Sequence, residues 1–68
     1  MEPDKNERRV LVTLANMGAT PDAIFGQLRL RSTVRRCWGK GWALIDSQAR
    51  DDFWTITREG LDVLAVNR

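Results

Sequence analysis

The 68-residue sequence predicts an α+β domain, mainly α, in which three helices pack on a two-stranded hairpin and a C-terminal helix closes the chain. Three observations carry this expectation. Apolar residues recur at helical spacing through the first half of the chain and again at its end. The stretch Phe53 to Thr57 alternates with the period of two of a half-buried strand. Glycines and small polar residues cut the rest into segments of suitable length.

The first seven residues are polar and read as a flexible N-terminal arm (1–7), with the domain proper over 8–68. The first helix spans about Asn6 to Met17, where Val10, Leu11, Leu14 and Met17 form one apolar stripe. Gly18 is a natural stop. Thr20-Pro21-Asp22 reads as a helix start: Thr20 suits the N-cap, Pro21 the first helical position, and Asp22 the positive end of the dipole. The second helix then runs to about Leu28 and offers Ile24, Phe25 and Leu28 to the core. Gly26 weakens it, so packing must hold it.

Arg29-Leu30-Arg31 makes a tight connection with Leu30 inward, and Ser32 is a natural N-cap for a third helix over about 32–41. Val34, Cys37 and Trp38 form its inner face, while Arg36 and Lys40 are i, i+4 neighbours on another. Trp42-Ala43-Leu44-Ile45 reads as a strand, Asp46 to Asp52 as a polar loop, and Phe53 to Thr57 as the second strand, with Trp54 and Ile56 on one face. Thr57 caps the last helix, about Arg58 to Val66, whose stripe is Leu61, Leu64 and Ala65. An isolated hairpin is marginal, so the two strands must lie against the helices.

A domain of this size buries only about 60% of the surface its unfolded chain exposes. The 43% hydrophobic content supplies that core, and 29% charged residues keep the surface polar. One cysteine, Cys37, excludes an internal disulfide, and without histidine a structural zinc site is not expected. No apolar stretch approaches the ~20 residues that span a bilayer, and the polar N-terminus lacks a signal-peptide centre, so the expected setting is a reducing cytoplasm. Catalysis finds no support either. There is no histidine base, no nucleophile elbow and no phosphate-binding glycine loop; Gly39-Lys40-Gly41 is too short to be one. No enzyme activity, cofactor or small-molecule substrate is expected.

Charge is unevenly placed. From Ala23 to Ile45 there are five basic residues, Arg29, Arg31, Arg35, Arg36 and Lys40, and no acid, in a chain whose net charge is only +2. Such a local block points towards a polyanion.

The element order, with short turns, is that of a winged helix-turn-helix, and several motifs resemble that family. Ala19-Thr20-Pro21 with Ile24, then Leu28 through Arg36, resembles the helix, turn and start of the recognition helix in prokaryotic and phage regulators. Gly41-Trp42 with Leu44 and Ile45 resembles the passage into the first wing strand. Ile56-Thr57-Arg58-Glu59-Gly60 with Leu64 resembles the family's closing segment, and the likeness extends over about residues 8–66. In that family's usual turn a glycine stands between the two leucines, where this chain has Arg29.

The resemblance implies sequence-specific or architectural binding of double-stranded DNA by a small prokaryotic or viral transcriptional regulator, with helix three in the major groove. Ser32 and Thr33 would lie near base edges and phosphates, and Arg35 or Arg36 could pair with a guanine edge. Arg29, Arg31, Lys40 and, from the wing, Arg50 would meet phosphates. A homodimer through Leu61, Val63 and Val66 of the last helix would add footprint. The alternative is a winged-helix module that binds protein and has no nucleic-acid role, to which the acidic neighbours of Arg50 (Asp46, Asp51, Asp52) lend support. The tryptophans are expected in the core rather than on a base-stacking platform. Cys37 is expected to be a small buried apolar residue, although Arg36 and Lys40 nearby would favour a thiolate.

Overall fold

The structure is a computed structural model and describes residues 2–48 and 51–66. Its elements are α1 (Lys5–Met17), β1 (Thr20–Pro21), α2 (Asp22–Gln27), α3 (Arg31–Gly39), β2 (Ala43–Gln48), β3 (Asp51–Ile56) and α4 (Arg58–Val66). The architecture is α+β and mainly helical, with one three-stranded antiparallel sheet in the order β1-β3-β2.

Helix α1 begins three residues ahead of the expected domain start. Asp4 is its N-cap and Glu7 closes a capping box: the Asp4 carboxylate accepts from the Glu7 N–H at 2.7 Å, and the Glu7 carboxylate accepts from the Asp4 N–H at 3.0 Å. Two backbone donors at the helix start are thereby satisfied, so α1 begins at Lys5, one residue before its expected start at Asn6, and takes up the end of the expected arm. Val10, Leu11 and Leu14 are buried as their spacing predicts. Met17 is not; α1 ends at Gly18 (φ 73°) just where the helix passes the rim of the core.

The start of α2 differs from its expected form. Thr20 and Pro21 are extended and pair with β3, Thr20 opposite Trp54 and Pro21 opposite Phe53, so the sheet has three strands where two were expected. Pro21 lacks an N–H, which suits an edge strand. The Thr20 hydroxyl accordingly does not cap α2 but donates to the Gly18 carbonyl. Phe25 is fully buried and Ile24 half-buried, whereas Leu28 is exposed because the chain leaves the helix at that residue.

The turn reverses on Arg29, whose φ of 60° is left-handed. This reversal lets Leu30 N–H reach the Phe25 carbonyl at 2.8 Å and carries the Leu30 side chain inward. Leu30, not Ser32, occupies the N-cap of α3, and no side chain caps that end. At the other end Gly41 (φ 81°) turns the chain so that Trp42 N–H bonds back to the Cys37 carbonyl.

The hairpin is longer than expected. Residues 46–48 and 51–52, polar enough in sequence to suggest a loop, are strand: Asp46 pairs with Phe53, Ser47 with Asp52 and Gln48 with Asp51. This outer half is polar on both sides, so it carries no alternation from which pairing is readable. Thr57 then joins three elements. Its hydroxyl donates to the Gly41 carbonyl at 2.7 Å and accepts from Gly60 N–H at 3.0 Å, while its own N–H bonds to the Trp42 carbonyl. Helix α4 has the expected span but buries Gly60, with Val63 and Leu64 half-buried; Leu61 and Ala65 face outward. The stripe is rotated because Gly60 is the point where α4 touches the Trp42 backbone: a Cβ there would collide with the Trp42 carbonyl oxygen. Trp54, Trp42, Ala43, Phe25, Leu30, Val34 and Cys37 complete the core with α1. Among the described residues, no helix is long and apolar enough to cross a membrane.

Candidate nucleic-acid interface

The five basic residues of the central block all lie on α3 or its two flanking turns, but they divide into two sets with different surroundings. Successive residues of a helix are about 100° apart. With Val34 and Cys37 inward, Ser32 and Arg35 point away from the core, Arg36 and Lys40 lie to one side, and Arg31 and Trp38 to the other.

The first side is turned towards α1. Arg36 donates through Nη2 to Asp4 at 3.0 Å and through Nε to Glu7 at 3.3 Å; Lys40 Nζ donates to the same Glu7 carboxylate oxygen at 2.7 Å. Lys40 also lies 4.8 Å from the centre of the Trp42 ring, a cation–π distance. Glu7 is only 1% exposed. Burial pushes its carboxyl up, but the hydrogen bonds from Lys40 and the Asp4 N–H outweigh this and hold it below its ordinary 4.5. Glu7 is therefore a charged buried node, and it draws both cations towards α1. Arg36 and Lys40, expected to face phosphates or base edges, are instead ion-paired within the fold.

The other expected residues have diverse fates. Thr33 is 5% exposed and lies too deep to reach a base edge. Arg31 keeps more than half of its side chain in solvent, with Nε 3.3 Å from Asp22. Asp22 also accepts the indole N–H of buried Trp54 at 2.9 Å, so it ties α2, α3 and β3 together. Ser32, Arg29 and Arg35 are exposed, and neither Arg29 nor Arg35 makes an ion pair among the described residues. Arg50 lies outside the described residues, as does the hairpin tip.

The expectation for Trp38 changes as well, and that for Cys37 does not. Trp38 is not a core residue: it is 45% exposed and stands edge-to-face on Trp54, with ring centres 6.0 Å apart. Cys37 is buried as expected, and burial, reinforced by the negative charge of Glu7, pushes its thiol up to about 11 despite Lys40 and Arg36. It is a packing residue.

Sequence reasoning missed Asp4, Glu7 and Asp22 as partners of the basic block. Asp4 and Glu7 do have the spacing of a capping box, which is legible. That the free end of the Glu7 carboxylate would meet a helix 29 to 33 residues away is not.

Beside this surface a shallow cleft of about 230 Å³ lies between Pro21, Asp22, Ala23, Arg31, Asp51 and Asp52. It is smaller than the roughly 300 Å³ at which ligand pockets begin. No cluster of three or more candidate metal ligands occurs among the described residues. Compared with known proteins, the chain matches no protein family, and neither a curated protein nor a solved structure is significantly similar to it.

Proposed function

We propose that the chain is a winged helix-turn-helix domain that binds double-stranded DNA without catalysing a reaction, as a small prokaryotic or viral transcriptional regulator. Helix α3 would enter the major groove and the β2–β3 hairpin would be the wing. The observation that supports this reading most is the outward face of α3: Ser32 and Arg35 are exposed there, Arg29 and Arg31 stand at its N-terminal end, and no carboxylate covers Arg29 or Arg35 among the described residues.

The chemistry follows from these groups. Arg35 has the planar fork that pairs with a guanine edge, and Ser32 can donate to or accept from either base type. Arg29 and Arg31 would neutralise phosphates and set the register. A helix that short has a small footprint, so specificity calls for a dimer or a partner protein. A role on prokaryotic or viral DNA implies a cytoplasmic location.

The test is a fluorescence-anisotropy titration of wild-type protein against random duplex DNA at 50 and 200 mM salt. The two phosphate contacts, from Arg29 and Arg31, predict a fall in affinity of roughly twelvefold over that range. Absence of binding at the lower salt would leave the fold without this function.

A protein-binding role is favoured by one specific observation. The hairpin carries Asp46, Asp51 and Asp52, with Asp52 held by the Ser47 hydroxyl at 2.7 Å, and such a wing repels phosphates. If the module binds protein, its partner meets this acidic hairpin, and neutralising Asp46 and Asp51 abolishes that contact.

A further inference from the structure

Helix α3 has one edge that the ion pairs with α1 do not touch. Arg31, Arg35 and Trp38 are spaced i, i+4 and i+7 and form a single ridge. Each is substantially exposed. Tryptophan is among the costliest side chains to leave in water, so a half-exposed indole on an otherwise cationic ridge asks for a partner.

Trp38 is also held in place. Its ring stands edge-to-face on Trp54, which is fully buried and fixed in turn by its hydrogen bond to Asp22. Asp22 pairs with Arg31, so the two ends of the ridge are positioned through one carboxylate. The exposed part of the indole is therefore preorganised. Its N–H, a donor only, meets no acceptor among the described residues, and neither does the guanidinium of Arg35 one turn before it.

An unpartnered donor on the edge of an apolar ring matches a nucleotide backbone unit, in which a phosphate oxygen accepts and the sugar offers an apolar face, while Arg35 one turn before it is left to reach the base edges beside that strand. We propose that the Arg31–Arg35–Trp38 ridge is the edge of α3 that lies along a DNA strand, with the Trp38 N–H donating to a backbone phosphate and its ring against the adjoining deoxyribose. This rests on the DNA-binding reading and specifies which edge of the helix carries it. The Arg36–Lys40 edge is the one turned to the protein.

The experiment uses the intrinsic fluorescence of the intact chain, titrated with a short random-sequence duplex at low salt beside an anisotropy titration of labelled duplex. Trp42 and Trp54 are buried, so acrylamide-quenchable emission reports Trp38. The expected result is that DNA protects this emission from acrylamide. Trp38→Phe, which keeps a ring on Trp54 but has no N–H, should bind roughly tenfold more weakly. Wild-type emission that stays fully quenchable while anisotropy reports salt-dependent binding would overturn the ridge and leave DNA binding intact. No anisotropy change at all would overturn both. The quenching result needs no variant, so it holds even if Trp38→Phe fails to fold.

Discussion

Arg29 holds a backbone conformation that costs an L-residue roughly 1–2 kcal/mol and costs glycine almost nothing. Nothing in the turn fixes its side chain. Replacing it by glycine should relieve the strain, partly offset by glycine's greater freedom in the unfolded chain, for a net gain of about 0.5–1 kcal/mol. For a domain of this size that raises Tm by roughly 2–8 °C. Arg29→Gly should also weaken DNA binding and reduce the salt slope by about one phosphate contact. A more stable protein that binds worse would mean the arginine is present for its charge; a lower Tm would show that its backbone is not strained.

Glu7 is the other decisive single residue. Its folded pKa lies below the ordinary 4.5, so its contribution to stability is present above that value and is lost as pH falls through the folded pKa. Glu7→Gln removes the charge that Lys40 and Arg36 share. With those partners partly solvated, the loss should be about 2 kcal/mol at pH 7. Urea unfolding at several pH values checks this: the wild type should lose stability below about pH 4.5 relative to the variant. An unchanged difference down to pH 2 or so would remove Glu7 from the explanation of acid sensitivity. Cys37, raised to about 11, should resist thiol reagents in the folded chain at pH 8 and react only on unfolding.

Among the elements, those with an uninterrupted apolar period were legible in the sequence. Helix α4 has the expected span, and α1 and α3 differ from theirs by a residue or two at most. The strand β1 was not legible, because two residues cannot display a period and Thr-Pro also reads as a helix start. The outer hairpin was hidden by its polarity. The buried face of α4 is not legible in the sequence because a glycine, absent from any hydrophobic pattern, makes the close contact. That contact gives a sharp prediction. Gly60→Ala drives a Cβ into the Trp42 carbonyl and to within 2.8 Å of an Ile56 side-chain carbon, at the junction where Thr57 joins α3, β3 and α4. The cost should be about 2–3 kcal/mol in chemical unfolding, and a Tm within a degree or so of wild type would show that α4 is free to slide.

For the molecule as a whole, the basic block is not one surface. Its charges divide across α3. Carboxylates from the start of α1 take Arg36 and Lys40, and Arg29, Arg31 and Arg35 remain towards solvent, Arg31 with one carboxylate neighbour. Sequence proximity grouped all five, whereas ion pairing depends on neighbours about thirty residues distant that no local pattern reveals. The net charge of +2 consequently understates the free positive surface and the local count of five overstates it. This division separates adjacent arginines and makes the proposed function testable at a single step along the chain. The most direct measurement is duplex-DNA affinity for Arg35→Ala beside Arg36→Ala, by anisotropy at two salt concentrations. The prediction is that Arg35→Ala loses roughly tenfold or more in affinity, while Arg36→Ala, folded, stays within about threefold of wild type. Equal losses, or the larger loss at Arg36, would contradict the assignment of the outward face of α3 as the DNA-binding surface.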